Sequence, residues 1–274
     1  MTERLVVHLP GEPDAGNVIE QAVRAYHAAW HALVDACPGG AHGEGDGLVR
    51  ARTGIPLAPF NGIWALSADV DPAAVLSAVD DLSGGRLPWN LQLRPGYPPE
   101  LDGELAARGL VPTGQIPFMV LTDPGAADNA RAGSPLTCRR TEVFVDADAV
   151  LDLLEAGLRL PSGSSRAILP LRMLFLPGAT TWIASDDGRD VSTAMRMNHE
   201  GACGIFNVAT TDADRGRGYG TVAAAHAVLD GFRAGAGCAY VQGTPLALPV
   251  YEKLGFTTVE HWQQWMPLEF ASER

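Results

Sequence analysis

Apolar and polar positions alternate along the second half of this chain in short runs separated by turn residues, which predicts a row of strands. Thr180 to Ser185, Val191 to Asn198 and Ala202 to Thr210 are three such runs. The segments between them, Asp186-Asp187-Gly188 and His199-Glu200-Gly201, carry the residues that tight hairpins need, so an antiparallel meander is expected. The rhythm then changes to that of a helix, with Val222, Ala225, Leu229 and Phe232 on one face and Gly235 to close it. A strand from Cys238 to Gln242, a helix through Tyr251 that stops at Gly255, and a strand near Thr257 to Met266 follow. Before the meander, Asp146 caps a helix through Leu154 that ends near Gly157. Ser162 to Leu176 is less regular.

The first half shows a comparable succession. A helix from Val18 to Val34 precedes a glycine-rich loop, then a strand from Asn61 to Ser67 leads to Asp71-Pro72, an N-cap and first-turn pair that starts a helix to Leu82. Gly84-Gly85 ends that helix, and Trp89 to Arg94 reads as a strand. Pro99 to Arg108 reads as a helix stopped by Gly109-Leu110, and Pro117 to Thr122 as a final strand. His42-Gly-Glu-Gly-Asp46 lacks the ligand spacing of a calcium loop and reads as a flexible loop.

The most specific feature lies between the strand ending at Thr210 and the helix that follows it. Arg215-Gly216-Arg217-Gly218-Tyr219-Gly220 places glycines at a helix N-terminus, where first-turn N–H groups have no internal partners and the dipole favours an anion. A P-loop would need Lys and then Ser or Thr after its last glycine, and Gly220-Thr221-Val222 has no such Lys. A dinucleotide fingerprint fails because Thr221 stands where its last glycine should be. The remaining pattern, Arg215-x-x-Gly218-x-Gly220, resembles the pyrophosphate loop of the GCN5-related N-acetyltransferase (GNAT) family. Downstream, Thr244-Pro-Leu-Ala247-Leu-Pro-Val-Tyr251-Glu-Lys-Leu-Gly255-Phe256 is similar to that family's second signature. Two departures are visible: Thr244 stands where the family often has Asn, and Pro249 predicts an irregular first turn in the tyrosine helix.

The resemblance implies an α/β (α+β) fold of two acyltransferase-like halves, each a mixed, largely antiparallel sheet flanked by helices. On this reading residues 1–123 form a degenerate GNAT-like domain, 124–135 a linker and 136–274 the catalytic, coenzyme-binding domain. Length agrees, since 274 residues exceed the roughly 150 typical of one domain. In the first half Gly109-Leu110 sits where Gly255-Phe256 sits in the second, but Leu105 replaces Tyr251. The join Ala68-Asp69-Val70 has no glycine, and Asp69 and Asp71 would meet the phosphates.

The resemblance also implies acetyl-CoA as acyl donor, with its pantetheine arm between the strands Ala202 to Thr210 and Cys238 to Gln242. The expected coenzyme contacts are Val208, Ala209 and Thr210 on the strand, Arg215, Gly216, Arg217, Gly218, Tyr219, Gly220 and Thr221 on the loop, and Thr244, Ala247 and Tyr251 beyond it. Tyr251 is the candidate general acid for the departing thiolate, and a tyrosine merely packed beside the pantetheine is the alternative. Asn207, an amide among apolar strand residues, is the candidate for holding substrate or water. No residue stands out as general base. The activity implied is transfer of acetyl to a primary amine of a small molecule or peptide. A non-catalytic acyl-CoA-binding regulator and a transferase of a larger acyl group are the alternatives.

Composition narrows the remaining classes. A net charge of −12 without basic clusters disfavours nucleic acid. Four scattered cysteines favour neither a disulfide framework nor a zinc site, and no metal is expected. No apolar run approaches the roughly eighteen residues of a membrane span. Met1 to His8 lacks the basic start and apolar core of a signal peptide, so a cytoplasmic monomer or homodimer without membrane contact is expected.

Overall fold

The alternating runs form strands in a single mixed sheet whose order departs from the order of the chain. The computed structural model describes residues 15–142 and 145–271; Met1 to His8, read above for a targeting signal, lies outside them. The elements are α1 (Ala15–Asp35), β1 (Ala41–Gly45), β2 (Leu48–Arg52), β3 (Asn61–Ala65), α2 (Pro72–Leu82), β4 (Asn90–Leu93), α3 (Leu101–Ala107), β5 (Leu110–Leu121) and α4 (Gly125–Ala132). They continue with β6 (Thr137–Arg140), α5 (Ala147–Leu158), α6 (Ser165–Ile168), α7 (Leu171–Leu174), β7 (Ala179–Asp186), β8 (Arg189–His199), β9 (Ala202–Thr210), α8 (Tyr219–Arg233), β10 (Cys238–Gln242), α9 (Leu248–Lys253) and β11 (Thr257–Pro267).

The sheet has eleven strands in the order β1-β2-β3-β4-β11-β5-β10-β9-β8-β7-β6. The last strand of each half therefore sits beside the other half's strands: β5 pairs with β10, β11 pairs with β4, and the two run antiparallel to each other at the centre. The meander β7-β8-β9 forms as its turns predict, with Asp187-Gly188 and Glu200-Gly201 both in the left-handed region.

Side-chain alternation divides each strand between two cores. Ala202 and Tyr240 point to the face covered by α1 and α5, while Cys203, Ile205, Ala239 and Val241 point to the face covered by α8 and α9. Helix α1 touches β8, β9 and β10 as well as β1 and β2, so strands of both halves surround it. That explains why Ala22, Val23, Tyr26, Ala29, Trp30, Leu33 and Val34 are all buried on one helix. Among the described residues no helix is long and apolar enough to cross a membrane.

Three local expectations change. The His42 to Asp46 loop belongs to a hairpin: β1 pairs with β2, and Asp46-Gly47, at φ of 56° and 72°, makes the two-residue turn. Its side chains are largely exposed, so no apolar alternation marks the strand. The segment joining the halves carries α4, whose Ala127 is buried in the α8 core. Pro249 lies in the first turn of α9, where its missing N–H breaks no helical bond; the helix runs from Leu248 to Lys253, entered through i to i−3 bonds at Ala247 and Val250.

Candidate active site

The site begins where β9 and β10 separate. These parallel strands pair only at Ala202–Cys238, Cys203–Ala239 and Gly204–Tyr240. Beyond that level β9 keeps its partner β8 and, among the described residues, has none on the β10 side. The divergence has a local cause. The β8–β9 register shifts between Met195–Phe206 and Thr193–Ala209, so Asn207 and Val208 together stand opposite one residue, Ala194. Asn207 adopts φ 52°, a conformation that asparagine tolerates better than a branched residue, and the bulge bends the strand away. Gly204 permits the close packing just below, because a Cβ there would lie 2.4 Å from the Tyr240 hydroxyl and 2.5 Å from the Phe206 ring.

The glycine loop follows the free end of β9. Gly216 and Gly218 have φ of 79° and 81°, and Gly218 is the N-cap of α8. The N–H groups of Gly218 to Thr221 have no acceptor among the described residues, and the first helical bond runs from the Val222 N–H to the Gly218 carbonyl. Four backbone donors thus converge at the positive end of a helix of 15 residues. Gly220 serves packing instead: its Cβ would stand 3.0 Å from Thr210 Oγ1, so the bare backbone seats α8 on β9.

Carboxylates brace this loop. Buried Asp214 accepts both Arg189 Nη atoms, at 2.6 and 2.8 Å, and the Thr211 hydroxyl; these bonds hold its carboxyl well below the usual range. Arg217 lies 3.6 Å from Asp214 with its guanidinium 5.9 Å from the Tyr219 ring centre, and the Tyr219 hydroxyl donates to Asp186. Arg215 pairs with Asp212 at 2.8 Å and donates to the Ala156 carbonyl at 3.3 Å. Both arginines of the motif are beside the loop, and each is engaged by a carboxylate.

The second motif meets the first on the α8 side of the gap. Tyr251 is buried in one cluster with Ala223, Ala224, Val241 and Leu254. Its ring lies against Gly243, where a Cβ would be 2.9 Å from Cε2, and edge-on to Phe256 at 5.9 Å. Burial pushes the phenol well above its ordinary value, which keeps it protonated. Thr244 is exposed, and its carbonyl accepts the Ala247 N–H at 2.9 Å.

On the other face, Tyr240 and Gln242 point toward α1. A chain of hydrogen bonds that sequence reading missed runs from there into the first half. The Tyr26 hydroxyl donates to Gln242 Oε1 (3.0 Å), Gln242 Nε2 to Gln92 Oε1 (2.7 Å), and Gln92 Nε2 to Asn90 Oδ1 (3.0 Å). Amides inside otherwise apolar strands were the available signal, but the partners lie up to 216 positions apart. Asn207 is half-buried, and its side-chain nitrogen reaches the Met195 sulfur at 3.8 Å. His199 ends β8, paired with Ala202 beside the Glu200-Gly201 turn, and His226 packs on Trp182 with ring centres 5.0 Å apart. Segment 162–176 folds into α6 and α7 and borders a cleft of about 690 Å³ with Ala32, Asp35 and Ala147, which none of the residues at the strand gap lines.

The first half repeats the geometry and closes it. Strands β3 and β4 also run parallel over three pairs, Gly62–Asn90 to Trp64–Gln92. The gap beyond them holds the Arg94 guanidinium, which donates to the Leu66 carbonyl at 2.8 Å and to both Glu20 and Glu260 at 2.6 to 3.0 Å. At the start of α2, Asp71 accepts the Ala73 N–H at 3.0 Å, so a carboxylate of the chain itself occupies that helix end.

No protein-family model matches the sequence, and no curated protein matches it. Solved structures are similar in fold. A GCN5-related N-acetyltransferase from Kribbella flavida superposes with a TM-score of 0.68 at 18% identity, covering 90% of this chain and 95% of its own. A tandem GNAT protein from the clavulanic acid biosynthesis pathway gives 0.57 at 14% identity, over 92% and 95%. A GCN5-related N-acetyltransferase-like protein from Streptococcus suis gives 0.55 at 16% identity, over 91% and 99%. The likeness extends through both halves.

Proposed function

We propose that this chain, which has the fold of the GCN5-related N-acetyltransferases, transfers acetyl from acetyl-CoA to a primary amine, with the coenzyme held by the second half. One observation carries the reading: among the described residues, a strand edge without a partner leads to a helix N-terminus whose N–H groups have no acceptor. The residues fit the donor. A pantetheine arm has amides that complement a free β-strand edge, and a pyrophosphate suits the four N–H groups at Gly218 to Thr221. Arg215 and Arg217, each beside an aspartate, flank the loop, and the backbone donors and the helix dipole add to the phosphate attraction.

When bound, acetyl-CoA supplies an activated thioester. The free edge of β9 orients that carbonyl and stabilises charge developing on its oxygen. The Tyr251 phenol, kept protonated by burial, donates a proton to the departing sulfur. The amine attacks directly, its C–N bond forming as the C–S bond breaks, and the proton it loses passes through water and restores the phenol, so the reading requires no nucleophilic side chain. Acetyl-CoA calorimetry on the full chain, together with CoA release over a panel of primary amines, tests it. Binding with amine-dependent release is expected; binding without release from any amine would leave only a coenzyme-binding protein.

A further inference from the structure

The α1 side of the strand gap is built partly by the first half, and one amide joins the two halves there. Gln242 is the last residue of β10 and lies two positions beyond the final β9–β10 pair, on the same face as Tyr240 and half-buried. The orientation of its amide is fixed from a distance. Asn90 Nδ2 points at two carbonyls, Ala58 O at 2.7 Å and Asn61 O at 3.2 Å, which can only accept. Asn90 therefore presents Oδ1 to Gln92, Gln92 presents Oε1 to Gln242, and Gln242 presents Oε1 to the Tyr26 hydroxyl. Tyr26, Asn90 and Gln92 are all buried, so the chain is shielded from competing water. Among the described residues Gln242 keeps one Oε1 lone pair and one Nε2–H uncommitted.

We propose that Gln242 binds the acceptor, and that Tyr26 and Gln92 act through it as positioning residues, so that the first half selects the amine. This rests on the acetyltransferase reading above. The class of acceptor follows from the wall it meets. The half-buried side chains there, Gln242 and Asn207, are neutral, and so is Tyr26 buried behind Gln242. Glu260, in register with Gln242 across Phe118, is held by Arg94 and by the Trp262 indole N–H at 2.7 Å. The complementary acceptor is a primary amine with a neutral amide or hydroxyl near the nitrogen, rather than a polyamine.

The test uses the full chain and a panel of amino amides, amino alcohols and polyamines, with CoA release as readout. Gln242→Leu should raise the acceptor KM about tenfold, the order of one neutral hydrogen bond, and leave the acetyl-CoA KM within twofold. Gln92→Leu should do the same, and combining the two should add nothing, because the second amide acts only through the first. Tyr26→Phe, which keeps the ring and its packing, supplies the same comparison if Gln92→Leu does not fold. An acceptor KM within twofold of wild type in folded Gln242→Leu overturns the inference, as does preferential acetylation of polyamines. If wild type binds acetyl-CoA but acetylates nothing in the panel, the acetyltransferase reading itself fails and takes this inference with it.

Discussion

His27 makes a quantitative link between burial and acid stability. It sits on α1, 2% exposed, with neither ring nitrogen hydrogen-bonded among the described residues, and is stacked on Trp262 at 6.2 Å. Burial, reinforced by His31 and Arg94, lowers its pKa from 6.5 to about 3. Below pH 6.5 the unfolded chain takes up a proton that the folded protein refuses. Stability therefore falls with falling pH, by about 1.4 kcal/mol per unit until the folded value is reached. Between pH 7.5 and pH 5 this comes to about 2 kcal/mol, a large part of the roughly 5 to 15 kcal/mol typical of a folded domain. Urea unfolding of wild type and His27→Leu at both pH values isolates the effect, because losses from other titrating groups are common to the two proteins. Wild type should lose about 2 kcal/mol more than the variant. Equal losses would mean that His27 is not the buried neutral group described.

Other outcomes follow from the same geometry. Gly218→Val places a β-branched residue at φ 81° on the α8 N-cap, and calorimetry should show acetyl-CoA binding abolished while circular dichroism stays native. Tyr251→Phe should lower kcat by about 10²-fold with little change in the acetyl-CoA KM, and steady-state turnover within about twofold of wild type would leave Tyr251 only a packing role. Since burial holds that phenol protonated, wild-type kcat should show no alkaline decline from Tyr251 across pH 7 to 10. Gly231→Ala would bring a Cβ to 2.2 Å from Cys203 Sγ and should cost about 1 to 3 kcal/mol in chemical denaturation.

What could be read in the sequence was local. The loop from Arg215 to Gly220 announces itself because positive φ and a helix N-terminus demand glycine within a few residues of each other. The meander is legible for the same reason, through Asp187-Gly188 and Glu200-Gly201. Hairpin β1–β2 was missed although Asp46-Gly47 is a proper turn signal, since the exposed face of β1 leaves no apolar alternation. Long-range pairing left no trace at all. Nothing near β5 or β11 shows that each strand lies beside the other half, and the Arg94 cluster joins residues 74 and 166 positions away. The motif also left one detail unread: Arg215 and Arg217 each stand beside an aspartate three residues earlier in the chain.

The central claim, that the chain's single acetyl-CoA site lies in the second half and supports amine acetylation, is tested most directly by measuring CoA release with the full chain against Gly218→Val under matched amine concentrations. Wild type should release CoA only when an acceptor amine is present and should bind one equivalent of acetyl-CoA. The variant should do neither, because Arg94 and Asp71 close the corresponding gap and helix end of the first half. Amine-dependent release that survives in folded Gly218→Val, or two equivalents bound per chain, would contradict the account.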